Sequence, residues 1–247
     1  MILLGIETAT QRVGCAVGGV EGVMAEFHST RDRRHAEMLT SAIEFTCHAA
    51  HIDLAEVSVI AVDTGPGLFT GLRVGVSTAK AMAQALRVPV IGLSSLDLLA
   101  FNVRYTDRLI VPIIDARRGE VYCATYRHVP GGVQRLGPPR LSTPEDLAGE
   151  LQAGRYESLL IGDGALRYGE ILCIDSNAEL GTVGTAFPSP GALVELAHPR
   201  AVREEFVHPS ELQVLYLRRS DAEINWEARH GALSSAPGEH GGAAATG

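Results

Sequence analysis

Two α/β lobes, each a mixed sheet flanked by helices, are predicted for this 247-residue chain by three observations. A strand–turn–strand pattern occurs twice, about 108 residues apart. Each copy is followed by a short apolar run that enters a helical pattern through a glycine-containing turn: Val57 to Val62 into Asp63-Thr64-Gly65, and Leu159 to Ile161 into Gly162-Asp163-Gly164. At 46% apolar residues, the chain has enough material for a core of its own. A hairpin plus a parallel strand feeding a helix, present twice, is most economically an internal duplication with a cleft between the halves.

The elements follow in order. Ile2 to Ile6, the polar turn Glu7 to Arg12, and Val13 to Val17 read as a β-hairpin. Arg34 to Ala50 has helical periodicity, and Val57 to Val62 is a β-branched strand. Residues 65–71 form the glycine turn, and Gly71 to Leu86 continues as helix. Leu109 to Ile114, the turn Asp115 to Glu120, and Val121 to Tyr126 repeat the hairpin. Residues 128–156 read as loop followed by a short helix that Ser142-Thr143-Pro144-Glu145 caps. Residues 181–191 read as loop, and a C-terminal helix over about 192–226 is expected to return to the first lobe. The lobes are thus 1–106 and 107–191. The Gly- and Ala-rich stretch 231–247 lacks periodicity and is expected to be disordered.

A net charge of −8 and a pI near 5.6 exclude a protein that grips nucleic acid by itself, because phosphate neutralisation needs a concentrated basic surface. Met-Ile-Leu-Leu-Gly-Ile lacks a basic leader region, and no apolar run reaches the roughly 18 to 20 residues of a membrane span, so a cytoplasmic protein is expected. Cys15, Cys47, Cys123 and Cys173 have no Cys-x-x-Cys spacing and suit reduced core positions.

The segment Asp63-Thr64-Gly65-Pro66-Gly67-Leu68-Phe69-Thr70-Gly71-Leu72-Arg73-Val74 joins strand to helix, where α/β proteins commonly receive anions. It is not a P-loop: Gly71 precedes Leu72 and Arg73, and the first lysine, Lys80, lies far down the helix. Glu7 and Asp115 open the turns of the two hairpins and are candidate phosphate- or metal-facing acids. Arg117 and Arg118 occupy the second turn, where they serve as a solvated turn, ion-pair partners or phosphate ligands. Glu44, His48 and His51 have i, i+4, i+7 spacing, for which exposed charge pairing is the commoner explanation than a metal. No Ser-His-Asp arrangement or His-Glu-x-x-His helix supports a peptidase.

The segments Gly5-Ile6-Glu7-Thr8-Ala9-Thr10, Gly65 to Gly75, Ala79-Lys80-Ala81 and Ile114 to Tyr122 resemble the bacterial TsaB (YeaZ) family over residues 1 to about 220. The resemblance implies an actin-like, Hsp70-like, sugar-kinase-like (ASKHA) fold with a ribonuclease H-like motif in each half. It also implies a part in placing threonylcarbamoyl on adenosine 37 of tRNAs that read A-starting codons. TsaD, the catalytic paralogue, carries paired histidines after a Val-Pro-Val-Ile-Gly strand. Here Val88-Pro89-Val90-Ile91-Gly92 is followed by Leu93-Ser94-Ser95, and hydroxyls are poor substitutes for imidazole as metal ligands. The second half also lacks a Gly-Gly-Val-Ala-x-Asn-like nucleotide loop. The expectation is a pseudo-enzyme that needs no cofactor of its own and has no catalytic or metal residues. Its partners would be a TsaD-like enzyme, a TsaE-like ATPase and a second copy of itself. ATP and a divalent metal would act in the complex, and tRNA would be met only through it. The alternative is an autonomous ATPase or phosphotransferase using Glu7, Asp115 and the glycine turns.

On a wheel, Met38, Leu39, Ala42, Ile43, Phe45, Thr46, Ala49 and Ala50 span an arc of about 160°, wider than a surface helix needs. Gly71, Gly75, Ala79 and Ala83 make a flat i, i+4 ridge. The residues alone allow either burial in the lobe or a partner interface. The resemblance favours an interface, comprising His35, Met38, Leu39, Ala42, Ile43, Thr46, Gly71, Leu72, Arg73, Gly75, Val76, Ala79 and Ala83.

Overall fold

In the computed structural model, residues 1–30, 35–154 and 156–218 are described. The first half runs β1 (Ile2–Glu7), β2 (Val13–Gly19), β3 (Gly22–Ser29), α1 (His35–Ala49), β4 (Val57–Asp63), α2 (Phe69–Leu86), β5 (Val90–Leu93) and α3 (Ser95–Asn102). The second runs β6 (Leu109–Arg117), β7 (Glu120–Cys123), β8 (Tyr126–Val129), β9 (Gly132–Arg135), β10 (Arg140–Ser142), α4 (Pro144–Ala153), β11 (Ser158–Ile161), α5 (Asp163–Arg167), α6 (Gly169–Leu172) and β12 (Ala178–Leu180). The helix α7 (Pro190–Val202) follows.

The duplication is explicit in the pairing. The first sheet has order β3-β2-β1-β4-β5, antiparallel through β1 and parallel from β1 to β5. The second repeats it as β10-β7-β6-β11-β12, with the β8–β9 hairpin attached to β6. Glu7, the last residue of β1, and Asp115, two residues before the end of β6, therefore sit at the same end of equivalent strands, as do Asp63, the last residue of β4, and Asp163, two residues beyond β11.

Alternation along β1 sends Leu4 and Ile6 to one face and Leu3 to the other, so both faces of the first sheet are covered. α1 and α2 cover one face with Leu39, Ala42, Ile43, Val76, Ala79 and Ala83. α7 and α3 cover the other, with Leu193, Val194, Ala197 and Leu98. Leu96 and Leu99 of α3 also pack against Ile110, Ile114 and Tyr126 of the second sheet, so this short helix serves both halves. Met1–Leu217 form one compact unit.

Several expectations are corrected. β3 was not anticipated; it is an edge strand whose burial alternates between exposed and partly buried. The predicted loop after residue 128 contains the β8–β9 hairpin, turned at Gly131 with φ +85°, and β10. The C-terminal helix begins at Pro190, where Ser189 Oγ accepts from the N–H groups of Gly191 and Ala192 at 3.1 and 3.3 Å, and it ends at Val202. Beyond it Glu204 adopts φ +56°, Val207 pairs with Val90 at the β5 edge, and Leu215 N–H donates to the Thr64 carbonyl at 2.8 Å. The segment is thus a strap rather than a helix up to residue 218. The tail expected to be disordered lies outside the described residues, as does Arg34 at the proposed start of α1.

Candidate functional site

The carboxyl ends of the parallel strands, where open α/β sheets bind ligands, carry Glu7 and Asp63 in the first half and Asp115 and Asp163 in the second. Glu7 is fully buried. Its Oε1 accepts the Ala9 N–H at 2.8 Å, and Oε2 has no partner. Burial raises its pKa well above the usual carboxylate range, and the nearby Asp63 charge adds to this; the Ala9 N–H and Arg12 pull the other way. Asp63 is likewise fully buried. Its Oδ1 accepts from Gly65 N–H and Ser95 Oγ, each at 2.7 Å, and Oδ2 has no partner. Burial pushes Asp63 up to about 7 in spite of those two bonds.

The second pair is differently served. Asp115 Oδ2 meets Arg117 at 3.0 Å and Arg167 at 3.3 Å, and its Oδ1 accepts the Arg117 N–H at 2.9 Å. Asp163 accepts the Asp115 N–H at 3.0 Å and is pushed up to about 6, chiefly by burial. Arg117 and Arg118 both hold positive φ, +65° and +57°, in the hairpin turn. Arg117 is engaged by Asp115, and Arg118 is exposed.

The glycine turn, read from sequence as a place for an anion, is filled by the chain itself. Leu68 N–H donates to the Ala9 carbonyl at 2.6 Å, and a Cβ on Gly67 would lie 2.2 Å from that same oxygen. One turn into α2, the Thr8 hydroxyl donates to the Gly71 carbonyl at 2.8 Å, and a Cβ on Gly75 would lie 2.2 Å from Thr8 Oγ1. The first hairpin turn thus occupies the groove that a phosphate would need. A nucleotide phosphate and its metal do not fit these residues: the helix N-terminus is stopped by a carbonyl, and Glu7, its pKa raised by burial, would have to be both uncovered and deprotonated. Ser95, one of the serines at the histidine positions, is spent as a donor to Asp63; Ser94 Oγ is buried without a partner.

Sequence reasoning named Glu7 and Asp115 as candidate acids and overlooked Asp63, Asp163, Ser95 and Arg167. The signal was available, since Asp63 and Asp163 sit in the two segments that established the duplication. Among the described residues, no three His, Cys, Asp or Glu side chains come together to hold a metal. Cys15, Cys47 and Cys123 are buried, and burial raises Cys15 and Cys123 to about 11, so these sulfurs are inert thiols.

The helices proposed as an interface are largely occupied at home. Leu39, Ala42, Ile43, Thr46, Gly71, Leu72, Gly75, Val76, Ala79 and Ala83 are all buried within the chain. The small-residue ridge of α2 faces its own sheet, where Gly75 admits Thr8, and Thr46 bonds the Ala42 carbonyl and Cys15 Sγ. What remains outward is Met38, half-buried, with Phe45 and Arg73 exposed; His35 opens α1. Arg73 stacks over Phe69 at 3.8 Å and donates to Tyr216 Oη at 3.3 Å, and Phe69 and Tyr216 lie 5.5 Å apart. The strap therefore completes an exposed aromatic and arginine cluster at the start of α2.

Among the described residues, no helix is long and apolar enough to cross a membrane. Residues 22–226 match the family described as TsaD, tRNA N6-adenosine threonylcarbamoyltransferase. The tRNA threonylcarbamoyladenosine biosynthesis protein TsaB of Bacillus subtilis is 30% identical over 92% of this chain and 98% of its own length. YeaZ from Pseudomonas aeruginosa superposes with a TM-score of 0.76 at 27% identity, covering 87% of this chain and 99% of that one. The ROK hexokinase of Thermus thermophilus shares the fold alone, at a TM-score of 0.50 and 13% identity over 82% of this chain and all of that one. With two sheets of the same strand order and this set of relatives, the fold is ASKHA-like, and the chain belongs to the TsaB (YeaZ) family within the broader TsaD family.

Proposed function

We propose that this protein acts in the biosynthesis of threonylcarbamoyladenosine in tRNA, as a non-catalytic subunit that binds and supports a TsaD-like enzyme. The single observation that carries the reading is the closure of the first-half strand ends. Glu7 and Asp63 are fully buried with raised pKa values, under a glycine turn plugged by Ala9. A phosphoryl-transfer site requires charged carboxylates within reach of substrate and metal. The retained strand order with a sealed centre is what a fold keeps when its surface, rather than its cleft, is under use. ATP and a divalent metal belong to the assembled complex, in which a TsaE-like ATPase also takes part, and tRNA is met there rather than by this acidic chain alone.

The docking surface in this reading is the outward edge of α1 and α2, with Met38, Phe45, Phe69 and Arg73 as contacts. Replacing Met38 by Asp together with Arg73 by Glu should weaken capture of the co-expressed TsaD-like subunit by roughly 10- to 100-fold, the range of a lost interface anchor, while the melting curve stays near wild type. Unchanged capture by folded variants removes this surface. ATP hydrolysis by the purified chain would instead support the autonomous-enzyme alternative.

A further inference from the structure

A groove of about 720 Å3 lies at the far end of α2 from the glycine turn, between that helix end and the strap segment Phe206 to Ser210. Its floor is apolar, formed by Ala83, Val88 and Phe206, and Lys80, Arg87 and His208 also line it. Among its lining residues there is no acid, although the chain carries 29 acidic residues against 21 basic ones. Among the described residues neither Lys80 nor Arg87 has an ion-pair partner. His208 Nδ1 meets Ser210 Oγ at 2.7 Å and the Ser210 N–H at 3.3 Å, so the ring is held through Nδ1.

Arg87 caps α2 in the left-handed region at φ +58°, a conformation that is strained for a side-chain-bearing residue and that glycine would adopt freely. The wall opposite is fixed by the Val207–Val90 bridge, so the groove is held by backbone pairing on that side.

We infer that this groove binds an extended segment of a partner protein in which acidic residues flank apolar ones. Lys80 and Arg87 are seven positions apart, about 10 Å along a helix, which an extended chain spans in about three residues. Because an extended chain alternates its faces, one face of such a segment presents carboxylates at i and i+4, about 13 Å apart, around an apolar residue at i+2; the two long basic side chains can reach those carboxylates while the apolar residue covers Val88 and Phe206. Charge complementarity selects this occupant: a nucleic acid would present a phosphate at every nucleotide to only two permanent cations, and would waste the apolar floor. Such binding does not depend on whether the chain serves a TsaD-like enzyme.

The test is fluorescence anisotropy of a fluorescein-labelled Gly-Asp-Glu-Leu-Phe-Asp-Glu-Gly peptide with the full chain. Saturable binding below about 1 mM is expected. The paired change Lys80→Glu and Arg87→Glu should weaken it at least about 10-fold, and raising salt from about 50 to about 500 mM should weaken it as well. A peptide with Gly-Gly in place of Leu-Phe should bind several-fold more weakly. Should the charge reversal lower the melting temperature, the neutral pair Lys80→Gln and Arg87→Gln decides, and a Kd unchanged there overturns the assignment. So does an absence of binding up to about 1 mM. Displacement by inorganic phosphate or by a single-stranded RNA oligonucleotide at the concentration at which the unlabelled peptide displaces the probe would also overturn it, marking a bare anion site.

Discussion

Asp63 concentrates the chemistry of this molecule in one side chain. One of its oxygens is fully used, by Gly65 N–H and Ser95 Oγ, and the other faces protein with no donor. Its pKa, about 7 in the folded chain against about 3.9 when unfolded, means that the folded state binds the extra proton between those values. Its contribution to stability is therefore fully present below about pH 4 and is lost as pH rises through about 7. Glu7 acts in the same direction. The melting temperature of the wild type should fall between about pH 5 and about pH 8, and Asp63→Asn should flatten that dependence. Parallel slopes for the two proteins would mean that Asp63 is ionised throughout and that its unpaired oxygen is served by water. The duplicated segments marked the position of Asp63, but not its titration. Burial and the missing donor are properties of the assembled strand ends.

At the scale of elements, the glycine turn and the first hairpin form one unit. Gly67→Ala places a methyl carbon 2.2 Å from the Ala9 carbonyl, a backbone atom that cannot swing aside. A loss of about 2 kcal/mol or more in urea unfolding is expected, on the scale of overpacked or strained core sites. A loss near zero would show that the two turns part readily and that the groove beneath is accessible after all. The elements themselves were largely readable: both hairpins, the two strand-to-helix crossovers and the Thr143 cap follow from period and turn chemistry. β3 and the β8–β9 hairpin escaped because their residues, Tyr126 apart, are exposed or only partly buried, so periodicity carried little weight there. The small-residue ridge of α2 was legible as a close-approach surface, but not what approaches it. Only the placement of Thr8 against Gly75 identifies its own sheet as the neighbour.

Over the whole molecule, two sheets of identical strand order leave the first pair of acids sealed, whereas in the second pair Asp115 is bonded to two arginines and Asp163 to the Asp115 N–H. The duplication makes the contrast informative, since equivalent positions in one chain have met different fates. Both halves retain the framework of a ligand-binding fold, and in the first the framework is closed on itself. A protein of this kind should be required by an active partner without reacting alone. The most direct measurement is threonylcarbamoyl transfer to tRNA by a reconstituted mixture of this chain, the TsaD-like enzyme of the same cell and a TsaE-like ATPase, with each protein omitted in turn. Modified adenosine only when this chain and the TsaD-like enzyme are both present, with no ATP turnover by this chain alone, is the predicted result. Full transfer in its absence, or ATP hydrolysis by the isolated chain, would contradict the account.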